Sequence, residues 1–322
     1  TALFAARKGL RVTLVEKGRV AAEQSSRNWG WIRVQGRDLA EIPVAQEAQA
    51  LWRALDAECG GRLGVAQVGV TYLARTGDEM AGFDGWLRQA GHLGVTSRLL
   101  DRAETAALLG CEGPWLGALH TPTDLKGEPW VAVPELARLA RAEGARISEA
   151  CAVRSLLREN SRVVGVMTED GPIHAPRVIL AGGAWSSLFL RRHGVSIPQL
   201  SVLSTALATG PLPQVVGTAG VDDHIAFRPR EDGGYTLAPA AFSELPLGPD
   251  AIRHMGWYLR LAAMGDFETY LRRPAPRGYP DAFSTPRFWR ADEESPFERM
   301  RVLNPEPNLE KVTELKRRFQ SV

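Results

Sequence analysis

Glu16 closes a run of aliphatic and β-branched residues, LRVTLV, and is followed by Lys17, Gly18 and the hydroxyl-rich stretch Ser25-Ser26-Arg27-Asn28. A carboxylate at the end of a buried strand can accept both hydroxyls of a ribose. Small hydroxyls, backbone N–H groups and an arginine suit phosphate oxygens. The same residues, taken singly, also describe a solvated strand-end acid and an ordinary polar loop. Gly30, set between Trp29 and Trp31, suits either a planar ring lying close to the backbone or an aromatic pair anchoring the loop. A third cluster is Ala181-Gly182-Gly183-Ala184-Trp185-Ser186, at the end of the apolar run RVIL. Its glycines admit close backbone approach, and a helix start there offers free N–H donors. A plain strand-to-helix turn has the same composition.

The elements that must position these groups are legible in part. Thr1 to Lys8 reads as a helix capped by Gly9. Leu10 to Val15 reads as a buried strand. Helix, glycine, strand and acid together form the second half of a βαβ dinucleotide-binding unit. In such units the glycine-rich turn precedes the acid by about 20 residues. That turn is therefore expected ahead of Thr1, and the chain reads as a piece that also stops early, at Val322.

Further along, helices are expected over Pro43 to Glu58, Asp78 to Gly91, Asp101 to Leu109, Pro134 to Glu143, Ala184 to His193, Asp250 to Met264 and Asn308 to Phe319. Strands are expected over Val65 to Ala74, Ala145 to Ser148, Ala152 to Leu157, Val163 to Thr168, Arg177 to Leu180 and Ser201 to Thr209. Ile225 to Ala238 reads as a hairpin turning at Asp232-Gly233-Gly234. Pro114 to Pro134 reads as a domain crossing, and residues 272 to 308 are Pro-rich and poorly patterned.

Composition narrows the class. The 322 residues are 44% hydrophobic and 24% charged, with a formal net charge of +2. That is the balance of a globular chain with a sizeable core, and it offers no basic excess for nucleic acid. The three cysteines, Cys59, Cys111 and Cys151, are far apart and show no C-x-x-C spacing. They predict neither a disulfide framework nor a zinc site, and a reducing compartment is the simplest reading. The six histidines are scattered, so no metal is expected. No apolar run reaches roughly 18 residues, so no transmembrane segment is expected.

Three stretches, in order, carry a resemblance: RVTLVEKGRVAAEQSSRNWGW, GEPWVAVPELARLARAEGARI and CAVRSLL with VVGVMTEDGPIHAPRVILAGGAWS. Together they resemble the D-amino-acid oxidase / glycine oxidase (DAO) family of FAD-dependent oxidoreductases, over residues 1 to about 195. The hairpin IAFRPREDGGYTLAP is similar to the family's substrate sheet. The resemblance implies an α/β fold: a Rossmann-like FAD-binding domain, here without its first strand and glycine loop, and a mixed or antiparallel-sheet substrate domain. It assigns residues 1–62 and 128–196 to the discontinuous FAD domain, 63–127 and 197–300 to the substrate domain, and 301–322 to a helix returning toward the FAD domain.

The same resemblance implies roles. Glu16 and Lys17 would meet the adenosine end, Ser25, Ser26 and Arg27 the pyrophosphate, and Asn28 and Gly30 the flavin side. Val153 would meet the adenine through its backbone, and Gly182 and Trp185 would belong to the family's turn against FAD. Some relatives attach FAD to a histidine in the loop matching residues 25 to 31. This loop has none, so non-covalent FAD is expected from these residues.

Oxidising an amine passes a hydride to the flavin, so the protein must mainly orient the C–H bond and exclude water. A substrate carboxylate calls for arginine. Arg33, Arg228 and Tyr235 are the candidate substrate contacts, with Gln35 and Arg37 behind them. His120 and His224 read as structural, and Asp124 and Glu128 as residues serving the turn before the next helix.

The expected function is FAD-dependent oxidation of the C–N bond of an amino acid or secondary amine. The electron acceptor is left open between oxygen and a respiratory chain. The expected location is the cytoplasm, at most peripheral to the inner membrane. Two other readings stay open: a catalytically inactive fragment or subunit, and a relative acting on modified tRNA bases or a phosphorylated alcohol.

Overall fold

A computed structural model describes residues 1–213, 215–263 and 269–320. The end of the helix expected to reach Met264, and residues 321–322 of the expected return helix, lie outside the described residues. The chain divides into two compact units. The first comprises Thr1–Gln24, Leu136–Ser204 and Phe242–Glu306; the second comprises Ser25–Glu135, Thr205–Ala241 and Pro307–Val322.

In the first unit the Ala2–Arg7 helix ends at Gly9, whose φ of 75° is the left-handed turn that glycine tolerates without a Cβ clash. The chain then enters the Thr13–Val15 strand, which pairs in parallel with Arg146–Ser148. Glu16 N–H continues this ladder by donating to Ser148 O at 2.9 Å. A meander of Val153–Glu159, Arg162–Thr168 and Gly171–His174 follows. A second parallel pair joins Ser243–Pro246 to Thr269–Arg272, and the Pro249–Ala263 helix falls between these two strands in the chain. Trp185, Leu188, Phe189, Trp289 and Phe297 form the core of this unit around Ala152. The rings of Trp185 and Trp289 both meet Phe297 edge-on, at centroid distances of 5.7 and 5.3 Å. Such edge-to-face pairing adds to the burial of large aromatic surfaces.

The expected strand over Arg177 to Leu180 does not form. That segment has no ladder partner among the described residues, and Ile179 is 71% exposed. β-branched composition favours extended backbone, but a strand exists only where a neighbour supplies N–H and C=O groups.

The second unit is built on a seven-stranded sheet. Its order is Leu207–Ala208, Tyr235–Pro239, Ile225–Pro229, Ala219–Val221, Val70–Ala74, Gly117–Thr121 and Arg98–Asp101. Only the Ala219–Val221 and Val70–Ala74 pair is parallel; the other neighbours run antiparallel. The Gly117–Thr121 strand is wholly buried. It lies inside the stretch expected to be a crossing, where its small residues and single histidine carry no period-two signal. The hairpin between Ile225 and Pro239 forms as expected, with Gly233 at a φ of 82° in the turn. The Asp101 capping box also forms: Asp101 accepts from Glu104 N–H, and Glu104 returns to Asp101 N–H.

A smaller antiparallel sheet joins Trp31–Ile32 and Ala66–Gln67 to the two edges of Leu125–Lys126. It carries the tryptophan loop.

The unit boundaries differ from those expected. Residues 25–62 share a unit with the seven-stranded sheet, because the loop after Gln24 is tied into the Leu125–Lys126 strand. Residues 242–300 cluster instead with the unit that holds Glu16. The Leu309–Phe319 helix sits against the hairpin sheet, with Leu315 in its core and Phe319 against Tyr235 at 5.0 Å. The expected return helix therefore packs within the second unit.

Candidate functional site

Glu16 emerges at the C-terminal end of a parallel strand, half-buried. Its Oε1 accepts the Gly18 N–H at 2.8 Å, and its Oε2 accepts no hydrogen bond among the described residues. Burial raises the Glu16 pKa, opposed by the Gly18 N–H and the Lys17 charge. A carboxylate with one oxygen steadied by its own backbone and one left open fits the hydroxyls of an adenosine ribose. Cys151 N–H donates to Glu16 O at 3.0 Å, which brings the start of the Val153–Glu159 strand beside the acid. Val153 itself pairs with Thr168.

The side chains of Lys17 and Trp185, both expected near the cofactor, are engaged within the first unit. Lys17 Nζ donates to Glu23 Oε1 at 2.6 Å and to the carbonyls of Met300 and Arg301 at 2.9 Å each. It also lies 4.5 Å from the Trp185 ring centroid. Trp185 is buried, and its Nε1–H donates to Glu23 Oε2 at 3.1 Å. Both side chains are thus consumed by Glu23, which also accepts Leu303 N–H at 2.7 Å. This clip binds the strand end to the segment near residue 300. Gly182 precedes a short 3-10 turn, Gly183–Trp185, that runs into the Ser186–Arg192 helix.

Ser25, Ser26, Arg27, Asn28 and Gly30 belong to the second unit. Gln24–Arg27 forms one helical turn. Asn28 then organises the loop: its Nδ2 donates to Ser25 O at 3.0 Å, and its Oδ1 accepts Gly30 N–H at 2.9 Å. Gly30 has a φ of 74°, and a Cβ there would lie 2.5 Å from Gly127 O. Only glycine fits that turn against its neighbour. Gly127 N–H in turn donates to Gly30 O at 2.8 Å.

Beyond the loop lies a cavity of about 530 Å³, lined by Asn28, Trp29, Gly30, Trp31, Arg33, Tyr72, Val221 and Ala240. The Trp29 and Trp31 rings meet edge-on at 5.4 Å. Trp31 Nε1 is buried with no partner among the described residues. The Arg33 guanidinium lies 5.7 Å from the Tyr72 ring centroid, and its Nη1 donates to Gln35 O. Burial raises the Tyr72 pKa, and the positive charge of Arg33 opposes that rise.

Of the three arginine and tyrosine candidates, Arg33 lines this cavity, whereas Arg228 and Tyr235 do not. Arg228 is 1% exposed and forms a bidentate pair with Glu128, Nη1 to Oε1 at 3.0 Å and Nη2 to Oε2 at 3.2 Å. Its Nε donates to Trp29 O at 2.6 Å. Tyr235 is equally buried, and its hydroxyl donates to Val216 O at 2.9 Å and accepts the N–H groups of Val215 and Val216.

Two residues assigned to a turn do more. Asp124 is fully buried and accepts Val34 N–H at 2.8 Å, Gln35 N–H at 3.2 Å and Gln49 Nε2 at 2.7 Å. It anchors the backbone just beyond Arg33. Burial raises its pKa, against those three hydrogen bonds. Glu128 accepts the two bonds from Arg228 and also Glu231 N–H at 2.8 Å. Tyr72 gives no sequence signal of its own; it reaches the cavity because alternate residues of its strand face one side. Buried Gln35 accepts from Thr121, and Arg37 pairs with Glu41 near the surface.

A family model described as FAD dependent oxidoreductase (DAO) matches residues 1–289, and the chain belongs to that family. It is 31% identical over 266 residues to glycine oxidase of Pseudomonas aeruginosa, covering 76% of this chain and 70% of that protein. It is 29% identical over 216 residues to mitochondrial sarcosine dehydrogenase of Mus musculus, covering 63% of this chain. The chain spans 24% of that dehydrogenase's length, and 19% of a 4-methylaminobutanoate oxidase from Paenarthrobacter nicotinovorans. Among solved structures, the L-amino acid deaminase of Proteus myxofaciens, in complex with anthranilate, superposes with a TM-score of 0.91 at 26% identity. The match covers 99% of this chain and 72% of that one.

Proposed function

We propose that the protein uses FAD to oxidise the C–N bond of an amino acid whose side chain is apolar or aromatic. One observation carries this reading: a single arginine, Arg33, lines a cavity otherwise walled largely by Trp29, Trp31, Tyr72, Val221 and Ala240. A guanidinium on an aromatic, low-dielectric wall is suited to a carboxylate, which it can bind through two parallel hydrogen bonds. The aromatic and aliphatic walls suit an apolar side chain. The anthranilate bound by the Proteus enzyme is itself an aromatic carboxylate, in keeping with this chemistry.

The open oxygen of Glu16 would hold the ribose of FAD. FAD, when bound, accepts the hydride from the carbon that bears the amine. Arg33 fixes the carboxylate, and with it the direction of the C–H bond. The amine enters neutral and keeps its lone pair for the forming C=N bond. Loss of the hydride from carbon and of one proton from nitrogen yields the imine. No side-chain base is required on this route.

Arg33→Met is expected to raise KM for carboxylate-bearing amino acids by about a hundredfold, with a smaller change for uncharged amines. Steady-state kinetics, with anaerobic bleaching of the flavin band, measures this. An unchanged KM would remove Arg33 from the substrate site and the reading with it. Oxygen uptake during the same assay separates direct reoxidation by oxygen from delivery to a respiratory chain. We place the protein in the reducing cytoplasm, on the support of its three free cysteines; cell fractionation tests this.

A further inference from the structure

We infer that Arg228 is a positioning residue: clamped by Glu128, it holds the Trp29–Gly30 peptide as one wall of the cavity without meeting the substrate. The inference deepens the proposed function and rests on it for its kinetic readout alone.

The geometry is one of a strut behind a loop. All three Arg228 nitrogens are engaged. Nε reaches Trp29 O, Nη1 reaches Glu128 and Pro229 O, and Nη2 reaches Glu128 and Thr236 Oγ1 at 3.2 Å. The guanidinium is planar and its donors are fixed in direction. A bidentate pair with Glu128 therefore sets the line along which Nε points, and that line ends on the Trp29 carbonyl. Glu128 is held in its turn by Glu231 N–H and by Lys126 Nζ at 3.4 Å. On the loop side, a Cβ on Gly30 would come within 3.1 Å of Arg228 Nε, so the peptide is seated on the guanidinium with no room to spare.

Trp29 and Gly30 face the cavity on their other side, and Arg228 does not reach it. The strut thus fixes the placement of the Trp29 ring and of the Gly30 backbone. A misplaced wall affects the rate of the reacting complex more than the capture of a carboxylate, which falls to Arg33.

Two variants test the assignment. Arg228→Lys keeps the charge but cannot hold Glu128 and Trp29 O along one plane. Thr236→Val removes one acceptor from Nη2 with little change of shape. Amide hydrogen exchange of the segment 28–33, measured on the full chain, is expected to quicken about tenfold in Arg228→Lys and less in Thr236→Val. Exchange in the first unit should stay as in the parent. In steady-state kinetics Arg228→Lys should lower kcat about tenfold and leave KM nearly unchanged. A raised KM with kcat intact would make Arg228 a substrate contact and overturn the inference. Unchanged exchange over 28–33 in a folded variant would also overturn it. Should Arg228→Lys fail to fold, the exchange of Thr236→Val decides alone: faster over 28–33 supports the strut, and no change refutes it. Because exchange needs no turnover, an inactive parent would sink the proposed function and leave this test standing.

Discussion

Two groups of ion pairs, one in each unit, are held in different ways. In the first, several ion pairs keep part of their surface in water, and two of them join segments far apart in sequence. Lys17 meets Glu23 and the carbonyls near residue 300, Arg154 meets Glu298, and Arg301 meets Glu169. In the second, the decisive pairs are sealed. Arg228 and Glu128 are each 1% exposed at the side chain, and Asp124 is fully buried. The Arg228–Glu128 pair specifies geometry, whereas the three pairs named from the first unit tie segments together. A sealed charge must satisfy every donor and acceptor, so it fixes a loop in one position. A wet clip tolerates adjustment, because water replaces a lost partner.

The largest effect should come from the sealed pair. Glu128→Ala leaves Arg228 buried without its counter-charge and is expected to destabilise the protein by about 3–5 kcal/mol. Urea unfolding measures it. A loss below about 1 kcal/mol would put the pair in the same class as the clips of the first unit. Asp124→Asn comes next. The asparagine retains one acceptor oxygen, but its amide confronts a backbone N–H, and a cost of about 1–3 kcal/mol is expected. Thermal melts of this variant should show a clear drop, whereas Arg301→Ala in the first unit should shift the melt only slightly. Equal losses would erase the contrast.

A pH-dependent effect concerns a neutral group in the first unit. His193 Nε2 accepts Leu156 N–H at 3.2 Å beside the Phe189 ring, and burial, with the charges of Arg192 and Arg158, lowers its pKa to about 4. The unfolded chain takes up this proton near pH 6.5, where the folded chain does not. Stability should therefore fall as pH drops from about 6.5 toward 4 and level off below. The cost is at most about 3 kcal/mol, reduced because the ring is only half-buried. His193→Gln should flatten this part of the profile. A profile unchanged by the substitution would assign the slope to other groups.

Much of the fold, and part of the site, is legible in the sequence. The helix–glycine–strand–acid series from Ala2 to Glu16 is local, as are the Asp101 capping box and the Asp232-Gly233-Gly234 hairpin turn, so composition and spacing suffice for them. Arg177–Leu180 has the composition of a strand without being one, because a strand also needs a neighbour. Gly117–Thr121 is a strand without looking like one, because small residues buried on both faces carry no alternation. Lys17 and Trp185 suit a cofactor by type and position, yet their partners, Glu23 and the carbonyls near residue 300, include groups from remote segments.

The family is legible in the sequence as a resemblance carried by three stretches in order, RVTLVEKGRVAAEQSSRNWGW first among them. Which arginine faces the cavity follows only from the folded chain. Arg33 and Arg228 look alike as residues. Glu128, a hundred positions from Arg228 in the chain, lies against it only after the sheet has formed. An ion pair is a matter of distance through space, and a linear sequence does not contain it.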